Sequence, residues 1–133
     1  MLLLTAIAAV LMTAASDSLG NRLETGCSGG VTGGGGGTIV TEDGRFFNYV
    51  RTTGKPEPSV KLIGRDGPRA AAYFKAAERA GLTRIKYREP SNMTCHLSLT
   101  RGAKRSEVAW PIGSRPKKIA KLIDLAEAMK GKA

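Results

Sequence analysis

The chain is short of the residues that most enzymes and nucleic-acid readers depend on. Aromatic side chains are 5% of its 133 residues. Proteins that read single-stranded RNA on a sheet stack bases on aromatics, so base-specific readout lacks its usual tools here. There is one histidine, His96. Ser98 and Glu107 are the nearest candidates to complete a triad, but no nucleophile-elbow motif supports them, and His96 reads as a strand residue facing solvent. The 11 carboxylates sit mostly beside basic residues and offer no glycosidase-type pair. Two cysteines and one histidine, widely spaced, make no zinc set. No metal, cofactor or catalytic residue is expected, and the chain reads as a non-enzyme. Nucleotide-binding loops are missing too. Gly54-Lys55 is followed by Pro56, which offers neither a hydroxyl for magnesium nor a following helix, and no window fits G-x-G-x-x-G.

Long apolar runs are also absent. Residues 1–15, MLLLTAIAAVLMTAA, carry no charge but fall short of the roughly 20 residues a spanning helix needs. With small residues following, at Thr13–Ala15 or Ala14–Ser16, the stretch reads as a secretory signal peptide, and the mature chain is expected to have no stable membrane span. The expected destination is the periplasm or the medium. A lipid anchor on Cys27 fits poorly, because Glu24 lies in the stretch before it. For an exported chain, the pair Cys27 and Cys95 suggests one disulfide.

What the chain has in excess is positive charge and glycine. Its formal net charge is +10, a field that attracts polyanions or acidic proteins without choosing between them. Seven of its 17 glycines crowd into residues 27–40. The plain reading of that run is a flexible loop. The sharper one makes Ser28, Gly29 and Gly30 a strand-end segment whose bare backbone approaches a partner, pinned if Cys27 is bridged, with the glycines at 33–37 as the mobile part.

The remaining pattern is strands, helix, strands, helix. Residues 22–31, 38–41 and 45–50 read as strands, with Glu42-Asp43-Gly44 as a hairpin turn; residues 52–59 read as a loop. Asp66-Gly67-Pro68 opens a helix that Gly81 ends. Residues 84–88 and 93–99 alternate polar and apolar, which puts Cys95 on the core face and His96 opposite it. Arg84, Lys86 and Arg88 then point one way, a candidate anion-binding row beside His96 and Thr94. Ser106–Trp110 makes a further strand. Ser114 is the expected cap of a last helix with Ile119, Leu122, Ile123, Ala126 and Met129 as its apolar stripe. This order predicts a single α+β domain over 22–133, an antiparallel sheet of four to five strands with two helices packed on one face.

The early segment Ser28-Gly29-Gly30-Val31-Thr32-Gly33, the strand Met93 to Leu99, the strand Ser106 to Trp110 and the proline-started last helix together resemble emfourin-like proteins, small bacterial inhibitors of thermolysin-type metalloproteases. The resemblance implies a metalloprotease partner and makes Ser28, Gly29 and Gly30 the target-facing segment. The chain departs from that pattern in the Gly34–Gly37 run, the cysteine pair and the export signal. The expected function is therefore an exported protein-binding domain, with protease inhibition as its candidate activity. The alternative is a basic binder of anionic envelope polymers or nucleic acid.

Overall fold

A computed structural model of the chain describes residues 19–30 and 33–130. The expected signal peptide, residues 1–15, lies outside the described residues. The chain forms β1 (Arg22–Gly29), β2 (Gly35–Thr41), β3 (Arg45–Arg51), β4 (Ser59–Arg65), α1 (Gly67–Arg79), β5 (Tyr87–Arg88), β6 (Met93–Arg101), β7 (Lys104–Pro111), a 3-10 turn (Lys117–Ile119) and α2 (Ala120–Met129). The strands make one sheet in the order β4-β3-β2-β1-β6-β7-β5. Every neighbouring pair is antiparallel except β5–β7, which is parallel.

This corrects the expected fold. The sheet is mixed and has seven strands, with two short helices, in place of an antiparallel sheet of four to five strands with two helices packed on one face. Three sequence features account for the difference. Ser59–Arg65, to which the sequence reading gives no element, pairs with β3. Residues 84–88 contribute only Tyr87 and Arg88 as strand, because α1 ends in a tight reversal that occupies the residues before them. Gly81 takes φ +87°, its N–H donates to Glu78 O, and the Leu82 N–H donates to Ala77 O, the Schellman pattern that only a glycine accommodates easily. The third feature is the glycine run.

Gly35, Gly36 and Gly37 are not mobile loop. They are the first half of β2, an interior strand paired to β1 on one side and β3 on the other. Glycine is a poor strand former, but here the two backbones approach too closely for a side chain. A Cβ on Gly37 would lie 1.9 Å from Thr25 O, and one on Gly35 would lie 2.2 Å from Cys27 O.

Several local readings hold. Asp66 Oδ1 accepts from the Arg69 N–H at 3.0 Å at the start of α1, with Pro68 in the first turn. The stripe Ile119, Leu122, Ile123, Ala126 and Met129 is buried. Ser114 does not cap the last helix: that helix is entered through the 3-10 turn after Pro116, with no side-chain cap. Cys27 and Cys95 are bonded, and they stand directly opposite each other on β1 and β6, Cα to Cα 3.9 Å. The bridge spans 68 positions; for a loop of that size, chain entropy stabilises by about 4 kcal/mol. One apolar core joins Leu23, Val40, Phe46, Leu97, Leu99, Val108 and Trp110 of the sheet with Ala70, Phe74, Leu122 and Met129 of the helices. Among the described residues no helix is long and apolar enough to cross a membrane.

The close approach of β1 and β2 makes a prediction. Gly37→Ala should destabilise the protein by roughly 1–3 kcal/mol, the usual cost of overpacking. Gly67→Ala, where an added Cβ meets nothing within 4 Å beyond its chain neighbours, should cost less, its effect limited to the restraint that Pro68 places on the residue before it. Urea unfolding of the disulfide-intact variants checks both.

Candidate functional site

The core takes one face of the sheet. The other face is read from the register. One row of opposed residues runs Tyr49, Gly37, Gly26, His96, Ala109, Arg88 from β3 to β5. A second, nearer the β1–β2 hairpin, runs Arg51, Gly35, Ser28, Thr94. A third, on the far side, holds Phe47, Ile39, Glu24, Ser98 and Glu107. Glycine and alanine in the middle of these rows leave a hollow, and the longer side chains around it form the walls. Glu24, Ser28, Tyr49, Arg51, Arg88 and His96 all line this groove, with Gly35 and Gly36 in its wall.

Its polar groups are mostly spent on one another. His96 Nε2 lies 2.9 Å from Glu24 Oε2, and the two side chains are only 19% and 24% exposed. The hydrogen bond from His96 holds the Glu24 carboxyl below its ordinary value against the opposing effect of burial, and the charges of His96, Arg105 and Arg22 add to it. Glu107 is held by Arg88 at 3.0 Å and by Arg105 at 2.6 Å. Tyr49 is 7% exposed and lies over Gly26, where an added Cβ would come within 2.2 Å of its hydroxyl. Burial, with the nearby Glu24 charge, raises the Tyr49 hydroxyl well above its ordinary range and keeps it protonated.

The sequence-predicted residues are distributed as follows. His96 does lie opposite the core face, but it is half-buried and partnered by Glu24, not a free solvent-facing residue. The Ser98 hydroxyl is buried without a partner and closed to solvent. Arg88 reaches the groove, whereas Arg84 and Lys86 are exposed in the connection before β5 and do not share its strand. Ser28 lines the groove, and Gly29 and Gly30 turn the chain at the hairpin end with φ of +115° and +75°. That turn is pinned: Gly29 N–H donates to Gly34 O at 3.1 Å and Gly30 N–H to Asn92 O at 2.6 Å. Glu24, Tyr49, Arg51 and Arg105 escaped the sequence reading. The cysteine pair held the signal for Glu24: with Cys27 set opposite Cys95, Gly26 falls opposite His96 and Glu24 opposite Ser98. Among the described residues no three histidine, cysteine or acidic groups are placed to hold a metal.

The opposite surface carries a second, simpler electrostatic feature. A groove between α1 and α2 has an alanine floor, Ala72, Ala76 and Ala80, edged by Lys75, Arg79 and Lys121 and by no carboxylate. None of these three cations makes an ion pair among the described residues. The acids of the helical segments are already taken, Glu78 by Arg101, Asp124 by Arg115, Glu127 by Lys130 and Asp66 by Arg69.

The Glu24–His96 contact predicts a pH effect. A carboxylate depressed in the folded state adds stability above its ordinary value of 4.5 and loses it as the pH falls through the lower folded value. Wild-type stability should therefore drop in acid below about 4.5, and Glu24→Gln should show a shallower drop in urea midpoint over that window. No protein-family model matches the chain, and no curated protein is similar to it.

Proposed function

We propose that this is a non-enzymatic domain that binds polymers with a phosphodiester backbone, the chemistry shared by nucleic acid and phosphate-rich envelope polymers. The observation that carries the reading is the cationic groove between α1 and α2, where Lys75, Arg79 and Lys121 make no ion pair among the described residues and edge an alanine floor whose lining holds no carboxylate. Lys75 and Arg79 are one helical turn apart, about 6 Å along the axis, so both reach one anionic strand. The formal charge of +10 adds long-range attraction. Arg84 and Lys86, exposed just beyond α1, extend the positive surface. Arg88 contributes less, because Glu107 already engages it. A disulfide persists in oxidising compartments, which suits an exported protein and favours an envelope polymer as the natural partner.

The test is fluorescence anisotropy with a labelled oligonucleotide and with a labelled glycerol-phosphate polymer between 50 and 200 mM salt. Reversing Lys75, Arg79 and Lys121 to Glu should weaken binding at least tenfold and flatten the slope of log K against log salt by about 2, as expected for three lost phosphate contacts. Arg88→Glu should change little. Equal binding by the triple variant would refute the reading.

A second reading is docking of another protein, with a metalloprotease as candidate, on the hairpin segment Ser28, Gly29 and Gly30. Its support is pre-organisation: the disulfide lies one residue from Ser28, and Asn92 holds Gly30, so little entropy is lost on binding. Against it, the Gly29 and Gly30 donors are already used within the chain. The outcome expected on this reading is inhibition of a thermolysin-type protease at micromolar protein, abolished by Ser28→Arg.

A further inference from the structure

The groove on the sheet holds a chemical imbalance that points to a ligand separate from any polymer bound on the helices. After the internal pairs are drawn, Glu24 is met by His96, and Glu107 by Arg88 and Arg105. Two strong groups remain unspent. The Arg51 guanidinium makes no ion pair among the described residues, although it lines the groove. The Tyr49 hydroxyl makes no hydrogen bond among them either, although the residue is 93% buried, the complement of its 7% exposure. Tyr49 is among the residues lining the groove, and its hydroxyl is open to a ligand there. Both groups are donors, and Ser28 beside them carries a third hydroxyl.

With the groove's two carboxylates, Glu24 and Glu107, engaged by His96, Arg88 and Arg105, its free groups are donors, which an oxyanion complements. The groove's volume, about 300 Å3, is at the small end of ligand sites and suits a compact molecule better than a polymer. Gly35 between Arg51 and Ser28 leaves the floor open where any side chain would stand. We propose that the sheet groove is a binding site for a small acid, its carboxylate or phosphate held by Arg51 and the Tyr49 hydroxyl at the hairpin end, with Glu24 occupied by His96. Arg51 supplies the charge and a planar fork for two oxygens. Tyr49 supplies one fixed donor whose ring is held by packing, so no side-chain freedom is lost on binding.

Isothermal titration of the disulfide-intact protein tests this with two probes, inorganic phosphate and succinate, which separate the phosphate from the carboxylate source. One of them should bind at one equivalent per chain. Tyr49→Phe removes only the unpartnered hydroxyl, so it should leave the thermal midpoint unchanged and weaken binding about tenfold, the worth of one hydrogen bond to a charged group. Arg51→Gln should weaken it further. The Lys75, Arg79 and Lys121 reversal should leave it intact, whatever that variant does to polymer binding. The proposal is overturned if neither probe saturates in the millimolar range. It is equally overturned if Tyr49→Phe binds as wild type, or if the helix-groove variant alone abolishes binding.

Discussion

The pairing of β1 with β6 is the constraint on which the rest of this structure depends. It brings together segments about 70 positions apart, and no local propensity produces such a contact. Through it, the meander β1 to β4 and the second unit β6–β7 become one sheet with a shared core. The disulfide stands at its centre, between directly opposed residues, and removes much of the entropy of the open chain that would oppose closure. It also fixes register. A glycine-rich strand has few side chains to tell one alignment from the next, and β2 begins with three glycines. Anchoring β1 against β6 lets β2 be placed by what fits against β1, and only glycine fits there.

How much of this could be read from the sequence follows from which forces are local. The turn at Asp43-Gly44, the cap at Asp66, the end of α1 at Gly81 and the alternation of β6 were legible because each depends on a few adjacent residues. The apolar stripe of α2 was legible for the same reason. The glycine strand was not, because its residues are selected by what they must not collide with on a neighbouring backbone. β4 was missed because SVKLIGR lies at an edge and its outward residues are exposed, so it lacks the alternation that one buried face imposes. The groove was half legible. His96 and Arg88 were singled out, but their companions Glu24, Tyr49 and Arg51 come from strands whose register appears only once Cys27 is set opposite Cys95.

The two faces divide the electrostatics. On the sheet, most charges are consumed in compact pairs, leaving a small polar hollow in which Arg51 has no ion pair among the described residues. On the helices, the acids are engaged at the margins, and among the described residues the cations around the alanine floor make no ion pair. A net charge of +10 is therefore unevenly felt. Long-range attraction acts on the whole molecule, whereas short-range contact is available chiefly where cations lack a partner. Added salt screens the first beyond a Debye length of about 10 Å at 0.1 M and disturbs the half-buried Glu24–His96 pair far less.

The two borders of the sheet are unequal, and this bears on self-association. One border is β5, two residues long and parallel, followed by Glu89 and then Pro90, which has no N–H to donate. The other is β4, seven residues with Val60 and Leu62 partly bare and Lys61 between them. β5 covers only Val108 and Ala109 of β7, so the rest of the β5 side is the β7 segment 104–107, which carries Lys104, Arg105 and Glu107. Copies meeting along β4 would pair through Val60 and Leu62, whereas the charged β7 border resists the same contact, which disfavours growth beyond a pair.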